Sequence, residues 1–397
     1  MTWLRRSVER QWYTRPDWLW CLLPLTWLFR LLSARRRKNQ SRSPYLSSIP
    51  IVVVGNISVG GTGKTPVIIA LAKHLQTCGR RPVIISRGYG AVDQAARQLP
   101  IEASASEYGD EPVLIARATA CPVVVGADRV AVVQYVERNK LGDFILSDDG
   151  LQHYRLGRRW EIAVVDGQRR LGNGHCLPVG PLREPPARLR EVDTVLLNGD
   201  RFEASWLPAE KTYAIALQPV AWRHVVTGKL VPLCELELNE AAAIAGIGNP
   251  TRFFNALQQL GFRGRTRSFA DHHAFTPADF SAFGDGMLLM TEKDAVKVRS
   301  FAEDNWWALV VAPLTVGISG DDIEHYLSII EARVQTRRTG SQWQLESIAR
   351  MKQNGVTFVE IDRKPFIESM AGFYQEMENR GELPKGFLAA VEATRAR

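Results

Sequence analysis

The chain is short of cysteine. Five are scattered through 397 residues (Cys21, Cys78, Cys121, Cys176 and Cys234), with no C-x-x-C pair. That excludes a disulfide framework and a cysteine-built zinc site, and it fits a reducing compartment. An uninterrupted apolar run of about 20 residues, the length a spanning helix requires, is also missing. Internal repeats are absent. The net charge is +8, yet the body of the chain has almost no basic excess. Residues 1–38 hold nine Lys/Arg and only two acids, Glu9 and Asp17, an excess of +7. The remainder is close to neutral, so no nucleic-acid partner is expected. What is present, 45% hydrophobic and 23% charged residues, supports one large or two medium domains with real cores.

The N-terminal basic excess is interleaved with tryptophan. Five of the eleven tryptophans lie in the first 27 residues: Trp3, Trp12, Trp18, Trp20 and Trp27. Trp18 to Phe29 is almost continuously apolar, and Arg35-Arg36-Arg37-Lys38 follows. Tryptophan favours the headgroup layer and a polybasic cluster favours anionic lipid. The run is too short to span and no small-residue cleavage site follows it, so residues 1–38 read as an interfacial helix on a membrane surface. Packing of the same helix on the protein's own core is the competing reading.

After a polar linker at about 39–49, apolar strands alternate with amphipathic helices. The strand-like runs are Ile51–Val54, Pro82–Ser86, Pro122–Gly126, Asp143–Ser147, Glu161–Asp166 and Thr194–Asn198. Helices are predicted at Thr65–Thr77, Glu111–Ala120 and Arg129–Asn139. This order indicates a parallel sheet covered on both faces, with ligands at the carboxyl ends of its strands. Residues 213–233 read as a β-hairpin around Thr227-Gly228, joining the 39–212 core to a second, smaller α/β lobe at 234–335. In that lobe strands are predicted at Ala241–Ala245, Gly286–Thr291 and Leu309–Ala312, with helices at Thr251–Leu260 and Asp321–Val334. Residues 336–397 form an appendage with no assignable function.

One motif decides the class of the core. Ser58-Val59-Gly60-Gly61-Thr62-Gly63-Lys64-Thr65 follows the buried strand Ile51–Val54 and precedes a helix. Glycines there let backbone N–H groups converge on phosphate oxygens, Lys64 reaches the β- and γ-phosphates, and Thr65 ligates Mg²⁺. The fold expected is therefore α/β, with a P-loop NTPase-type parallel sheet. Asp148-Asp149-Gly150 ends another strand, where an acid can hold Mg²⁺ directly or through water. Asp110 stands at a helix start, where it serves either as a cap or as a carboxylate near the γ-phosphate. Asp271-His272-His273 is the only histidine cluster, and a carboxylate beside an imidazole suits a general base. Arg183 lies in the proline-stiffened Gly180-Pro181-Leu182-Arg183-Glu184-Pro185, placed either to stabilise phosphoryl charge or simply in solvent.

Taken in order, these segments resemble the tetraacyldisaccharide 4′-kinase (lipid A kinase) family over about residues 1–335. The resemblance is carried by Gly55–Pro66, Ser86-Arg87-Gly88-Tyr89-Gly90, Gly109-Asp110-Glu111-Pro112 and Asp148-Asp149-Gly150-Leu151-Gln152-His153. Gly180–Glu184, Gly246-Ile247-Gly248-Asn249-Pro250, Phe269-Ala270-Asp271-His272 and Thr291-Glu292-Lys293-Asp294 match as well. It implies ATP- and Mg²⁺-dependent phosphorylation of the 4′-hydroxyl of a tetraacylated glucosamine disaccharide 1-phosphate, giving lipid IVA, at the cytoplasmic face of a Gram-negative inner membrane. It implies phosphate and Mg²⁺ binding by Lys64 and Thr65, and a metal role for Asp148 and Asp149. Asp110 with His272 would be the base, with Asp271 nearby, and Gln152 and Arg183 would sit near the phosphates. The rival class is a membrane-cycling partitioning ATPase, whose loop carries a signature Lys where Val59 stands here. A GTP-dependent switch is disfavoured, because Thr291-Glu292-Lys293-Asp294 has the wrong spacing for a guanine-reading motif.

Overall fold

The computed structural model describes residues 2–88, 95–199, 204, 206–208, 211–238, 240–271 and 273–315. The readings on His272, on the helix Asp321–Val334 and on the appendage 336–397 lie outside these. In chain order the elements are α1 (Thr2–Trp12), α2 (Leu23–Gln40), β1 (Ile51–Gly55), α3 (Lys64–Thr77), β2 (Pro82–Ser86), β3 (Arg97–Gln98) and α4 (Ala105–Tyr108). Then come α5 (Asp110–Thr119), β4 (Val123–Val125), α6 (Arg129–Arg138), β5 (Phe144–Asp148), β6 (Trp160–Asp166) and β7 (Thr194–Asn198). The second half holds β8 (Thr212–His224), β9 (Leu230–Val231), β10 (Ala242–Ala245), α7 (Pro250–Gln259), β11 (Thr266–Ser268), β12 (Leu288–Thr291), α8 (Glu292–Val298) and β13 (Trp306–Thr315).

All the strands join one sheet, in the order β11-β10-β12-β13-β8-β7-β6-β1-β5-β2-β4-β3, with β9 beside β8. Pairing is parallel except at β3–β4, β8–β9 and β8–β13. β1 lies between β5 and β6, covered on both faces, which is why its sequence is an unbroken apolar run. Its side chains alternate between two cores. Val52 and Val54 pack with Ile68 and Leu71 of α3 and Ile115 of α5. Ile51 and Val53 pack on the opposite face with Val132, Val133 and Val136 of α6. The second half repeats the scheme: Ala243 and Ala245 of β10 meet Phe253 and Leu257 of α7, while Ala242 and Ile244 meet Phe275, Phe280 and Trp306.

Most predicted elements differ from the observed ones by a residue or two at their ends. Two differ in kind. The strand expected at Leu309–Ala312 is the ten-residue β13, lengthened by antiparallel pairing with β8 across an irregularity at Val310/Val311. The hairpin around Thr227-Gly228 is present, and Gly228 adopts the positive φ its turn requires. Its first strand is thirteen residues long and pairs in parallel with β7 at Val195–Asn198, so β8 carries the sheet from one half of the chain into the other.

The N-terminal segment is α1, a 3₁₀ turn (Trp18–Leu22) and α2. One side docks on the core: Leu19 and Thr26 are buried, Phe29 packs against the α6-side core, and Trp12 Nε1 donates to Pro178 O at 3.0 Å. The other side exposes Trp18, Trp20, Leu25, Trp27, Leu28 and Leu32 at 43–66% of their surface. Among the described residues, no helix is long and apolar enough to cross a membrane.

Candidate active site

The phosphate loop leaves the carboxyl end of β1 and enters α3, and its own Asn56, the Asn198 side chain and the backbone of the 180–184 loop hold its shape. Asn56 Nδ2 donates to Gly60 O at 3.2 Å and to Thr62 Oγ1 at 3.4 Å. Asn198, at the end of β7, donates to Thr62 O at 2.9 Å. The 180–184 loop runs alongside: Val59 N donates to Pro181 O at 2.8 Å, and Arg183 N to Ile57 O at 2.7 Å. Gly63 has φ +96°, and a Cβ there would stand 2.5 Å from Asn198 Nδ2, so this glycine is required on two counts. Ser58 and Thr62 are buried, while Gly61 faces outward.

Lys64 opens α3 and Thr65 follows, half-buried. Lys64 Nζ lies 3.5 Å from Asp149 Oδ1, and Arg183 donates to Asp149 Oδ2 at 2.8 Å. Asp149 adopts φ +48°, an uncommon backbone for a non-glycine residue, which turns its carboxylate towards these two cations. Burial works against its charge, but Lys64 and Arg183 outweigh it and hold the carboxyl down at about 2. Asp148 is the opposite case: burial, then Glu111 and Asp149, push it up to about 7. Ser86 Oγ donates to Asp148 Oδ2 at 3.0 Å, while Oδ1 is buried and accepts no hydrogen bond. Two neighbouring acids whose environments separate their proton affinities are a mark of a functional site.

The donor set suits Mg²⁺. Asp148, Asp149 and the Thr65 hydroxyl are hard oxygen ligands, and Asp148 keeps an oxygen unengaged. No group of three His, Cys, Asp or Glu among the described residues could form an all-protein metal cage. Mg²⁺ usually takes one or two carboxylates from the protein and the rest from phosphates and water.

Gln152 Nε2 donates to Asn56 O at 3.1 Å and to Glu184 Oε2 at 2.8 Å, so it braces the loop from below. Behind Glu184 lies a buried ionic network: Arg188, 2% exposed, pairs with Glu161 and approaches Glu184 at 3.9 Å. Removing one partner of such a pair strands the others in low dielectric. Arg188→Ala is therefore expected to lower stability by about 3–5 kcal/mol in urea unfolding. A change below 1 kcal/mol would show that water replaces the guanidinium.

Across from the loop, α5 and α8 meet at an acid cluster. Gly109 caps α5, and Asp110 is its first residue. Its Oδ1 accepts from Glu111 N at 2.9 Å, while Oδ2 lies 3.8 Å from Lys293 Nζ and 3.7 Å from Lys297 Nζ of α8. The cap-like bond and the functional placement thus coexist in one carboxylate. Asp271, after β11, lies 3.7 Å from the same Lys293. A Cβ on Gly248 would stand 3.4 Å from Asp271 Oδ2 and 3.6 Å from Gly61 N, so the acid cluster abuts the phosphate loop through this glycine. His273 turns away, stacking on Phe269 and facing Asp279 at 3.2 Å. The sequence reading did not single out Asn56, Asn198, Glu184, Lys293 or Lys297. The position of Asn198 at the carboxyl end of a strand was the available signal.

Comparison with known proteins agrees with this geometry. A family model for LpxK, tetraacyldisaccharide-1-P 4′-kinase, matches residues 18–331. This chain belongs to that family. The tetraacyldisaccharide 4′-kinase of Aeromonas hydrophila is 45% identical over 311 residues, covering 77% of this chain and 91% of that protein. That of Nitrosococcus oceani is 42% identical over 328 residues, covering 82% and 94%. The crystal structure of LpxK from Aquifex aeolicus in complex with ATP superposes with a TM-score of 0.67 at 26% identity, covering 80% of this chain and all of that one. The lipid A kinase resemblance is borne out, and the partitioning-ATPase alternative finds no support in these matches. The family match ends at residue 331, short of the appendage.

Proposed function

We propose that this chain transfers the γ-phosphate of ATP to the 4′-hydroxyl of a tetraacylated glucosamine disaccharide 1-phosphate. The observation that carries the reading is the juxtaposition of the Lys64–Asp149–Arg183 chain with the Asp110–Asp271 acid cluster, across a loop closed by Gly248. Lys64 and Arg183 supply fixed positive charge where phosphoryl charge develops, and Ser58–Gly63 supplies backbone N–H groups. Thr65, Asp148 and Asp149 would hold Mg²⁺, which neutralises charge on the phosphates. A sugar hydroxyl has a very high pKa and loses its proton late, as the P–O bond forms. Asp110 with His272 is the proposed base for that proton, with Asp271 beside them. On this reading 39–212 is the phosphate-binding core, 213–233 the connecting hairpin and 234–335 the acceptor-side lobe.

The acyl chains of the substrate require a membrane surface, and the exposed side of the 3₁₀ turn and α2 suits one. Trp20, Trp27, Leu28 and Leu32 project outward, followed by the exposed Arg35, Arg36 and Lys38. We assign residues 1–38 to the cytoplasmic face of the inner membrane, bound to anionic lipid without spanning. A Trp20→Ser/Trp27→Ser/Leu28→Ser/Leu32→Ser variant keeps the buried Leu19 and Thr26 in place and gives up, on the docked side, the edge contact of Trp20 with His175. It is expected to bind phosphatidylglycerol vesicles about 100-fold more weakly in co-sedimentation, from the apolar area no longer buried in lipid. Undiminished binding would remove this surface as the anchor.

The activity itself is tested by transfer of labelled γ-phosphate from ATP to purified tetraacyldisaccharide 1-phosphate in detergent micelles with Mg²⁺. A bis-phosphorylated lipid is the expected product. ATP hydrolysis stimulated by bare liposomes, with no lipid product, would overturn the assignment.

A further inference from the structure

The acid cluster beside the phosphate loop is built from parts of the chain far apart in sequence. Asp110 and Glu111 open α5, and Asp271 follows β11. Like charges repel, and in a half-buried cleft that repulsion is weakly screened. Lys293 Nζ lies 3.2 Å from Glu111 Oε1, 3.8 Å from Asp110 Oδ2 and 3.7 Å from Asp271 Oδ1. One ammonium, with only 18% of its side chain exposed, therefore faces all three acids. Lys297, one turn on and on the same face of α8, adds a second cation 3.7 Å from Asp110.

The helix that carries both lysines is itself fixed. Thr291 caps α8 by accepting from Asp294 N, and its hydroxyl donates back to Asp294 Oδ2 at 2.7 Å. Asp294, fully buried, also accepts from Gly246 N at 3.0 Å and pairs with Lys297 at 3.0 Å. Gly246 begins the turn whose Gly248 abuts Asp271 and the phosphate loop. The lysines thus sit on a frame that already refers to the acceptor side of the site.

We infer that Lys293, supported by Lys297, is a positioning residue that draws Asp110 of α5 and Asp271, after β11, together beside the phosphate loop. The inference rests on the kinase reading proposed above. The effect of Lys293 on turnover runs through the carboxylates it holds.

The test is a kinetic cycle on the full chain, using Lys293→Met, Lys293→Gln, Lys293→Arg, Asp110→Asn and the double variant Asp110→Asn/Lys293→Met. Displacing a catalytic group by about an ångström costs about 100-fold, so Lys293→Met is expected to lower kcat by about that factor. The KM for ATP should move less than about threefold, and Lys293→Arg should recover at least a tenth of wild-type turnover. In the Asp110→Asn background the same Lys293→Met change should cost less than about threefold, since the group it positions is already disabled. A merely structural lysine would cost the same in both backgrounds, and that equality overturns the inference, as does a kcat near wild type in Lys293→Met. If Lys293→Met fails to fold, Lys293→Gln gives the same comparison with a shorter polar side chain. Wild-type turnover separates the two levels: a wild type that makes no phosphorylated lipid overturns the kinase reading and this inference with it. A working wild type with an additive cycle overturns this inference alone.

Discussion

Lys64→Ala is expected to reduce phosphoryl transfer by about 1,000-fold or more while leaving the protein folded. Lys64 is the first residue of α3, its side chain is only 11% exposed, and its ammonium lies 3.5 Å from Asp149. It stands at the point where the glycine loop delivers its backbone donors. Phosphoryl transfer needs charge neutralisation more than covalent chemistry, and a single preorganised donor in a water-poor site is worth about 100- to 1,000-fold. Lys64 adds a full charge to a donor's geometry, which sets the expectation at the upper end. Stability should change little, because Asp149 keeps Arg183 at 2.8 Å after the substitution. Lys64→Arg is expected to be nearly as defective: a planar guanidinium is longer and forks its donors, whereas the loop is shaped around a compact point charge. The check is kcat at saturating ATP alongside a urea unfolding curve. Turnover within threefold of wild type in Lys64→Ala, with the fold intact, would move the phosphate site away from this loop.

The catalytic half built on β1 and β5 is largely legible from the amino-acid order. Ile51–Val54 and Phe144–Leu146 are apolar on both faces, and only a central parallel strand uses such a run. The polar residues after them, Ser58–Thr65 and Asp148-Asp149, are therefore placed at strand ends before any coordinate is known. What the order does not carry is contact between segments distant along the chain. Asn198 reaches Thr62 across 136 residues, and Arg252 of α7 donates to Asn198 at 2.7 Å. The strand end marks the position of Asn198 but not these partners, because an asparagine there satisfies many turns equally well. The length of β8 is hidden for a similar reason. β13 lines one flank from Ile215 to His224, while the other flank meets β7 at Thr212–Ile215 and β9 only at Trp222–Arg223, so its alternation follows no single environment. Asp110 shows the limit most directly. A carboxylate at a helix start is a common device, and only the arrival of Lys293 and Lys297 on α8 distinguishes this one.

That placement gives the second large effect. Asp110→Asn keeps the size of the side chain and its acceptor oxygen for Glu111 N, but removes the charge that faces the two lysines. If Asp110 tunes His272 as the base for the 4′-hydroxyl proton, the loss should appear in kcat, by about 100- to 10,000-fold, the range general-base catalysis contributes. The KM for lipid should stay within a few-fold, because a proton acceptor strengthens its contact with the hydroxyl mainly in the transition state. His272→Gln should fall in the same range. The informative comparison is the double variant: two residues acting as one device are grossly non-additive, so Asp110→Asn/His272→Gln should be no slower than the worse single variant. Multiplicative losses would mean that the residues act on separate steps, with Asp110 then serving the phosphate side through its neighbour Glu111. A loss below tenfold in Asp110→Asn would remove it from proton transfer altogether and leave its ion pairs with α8 as its whole contribution.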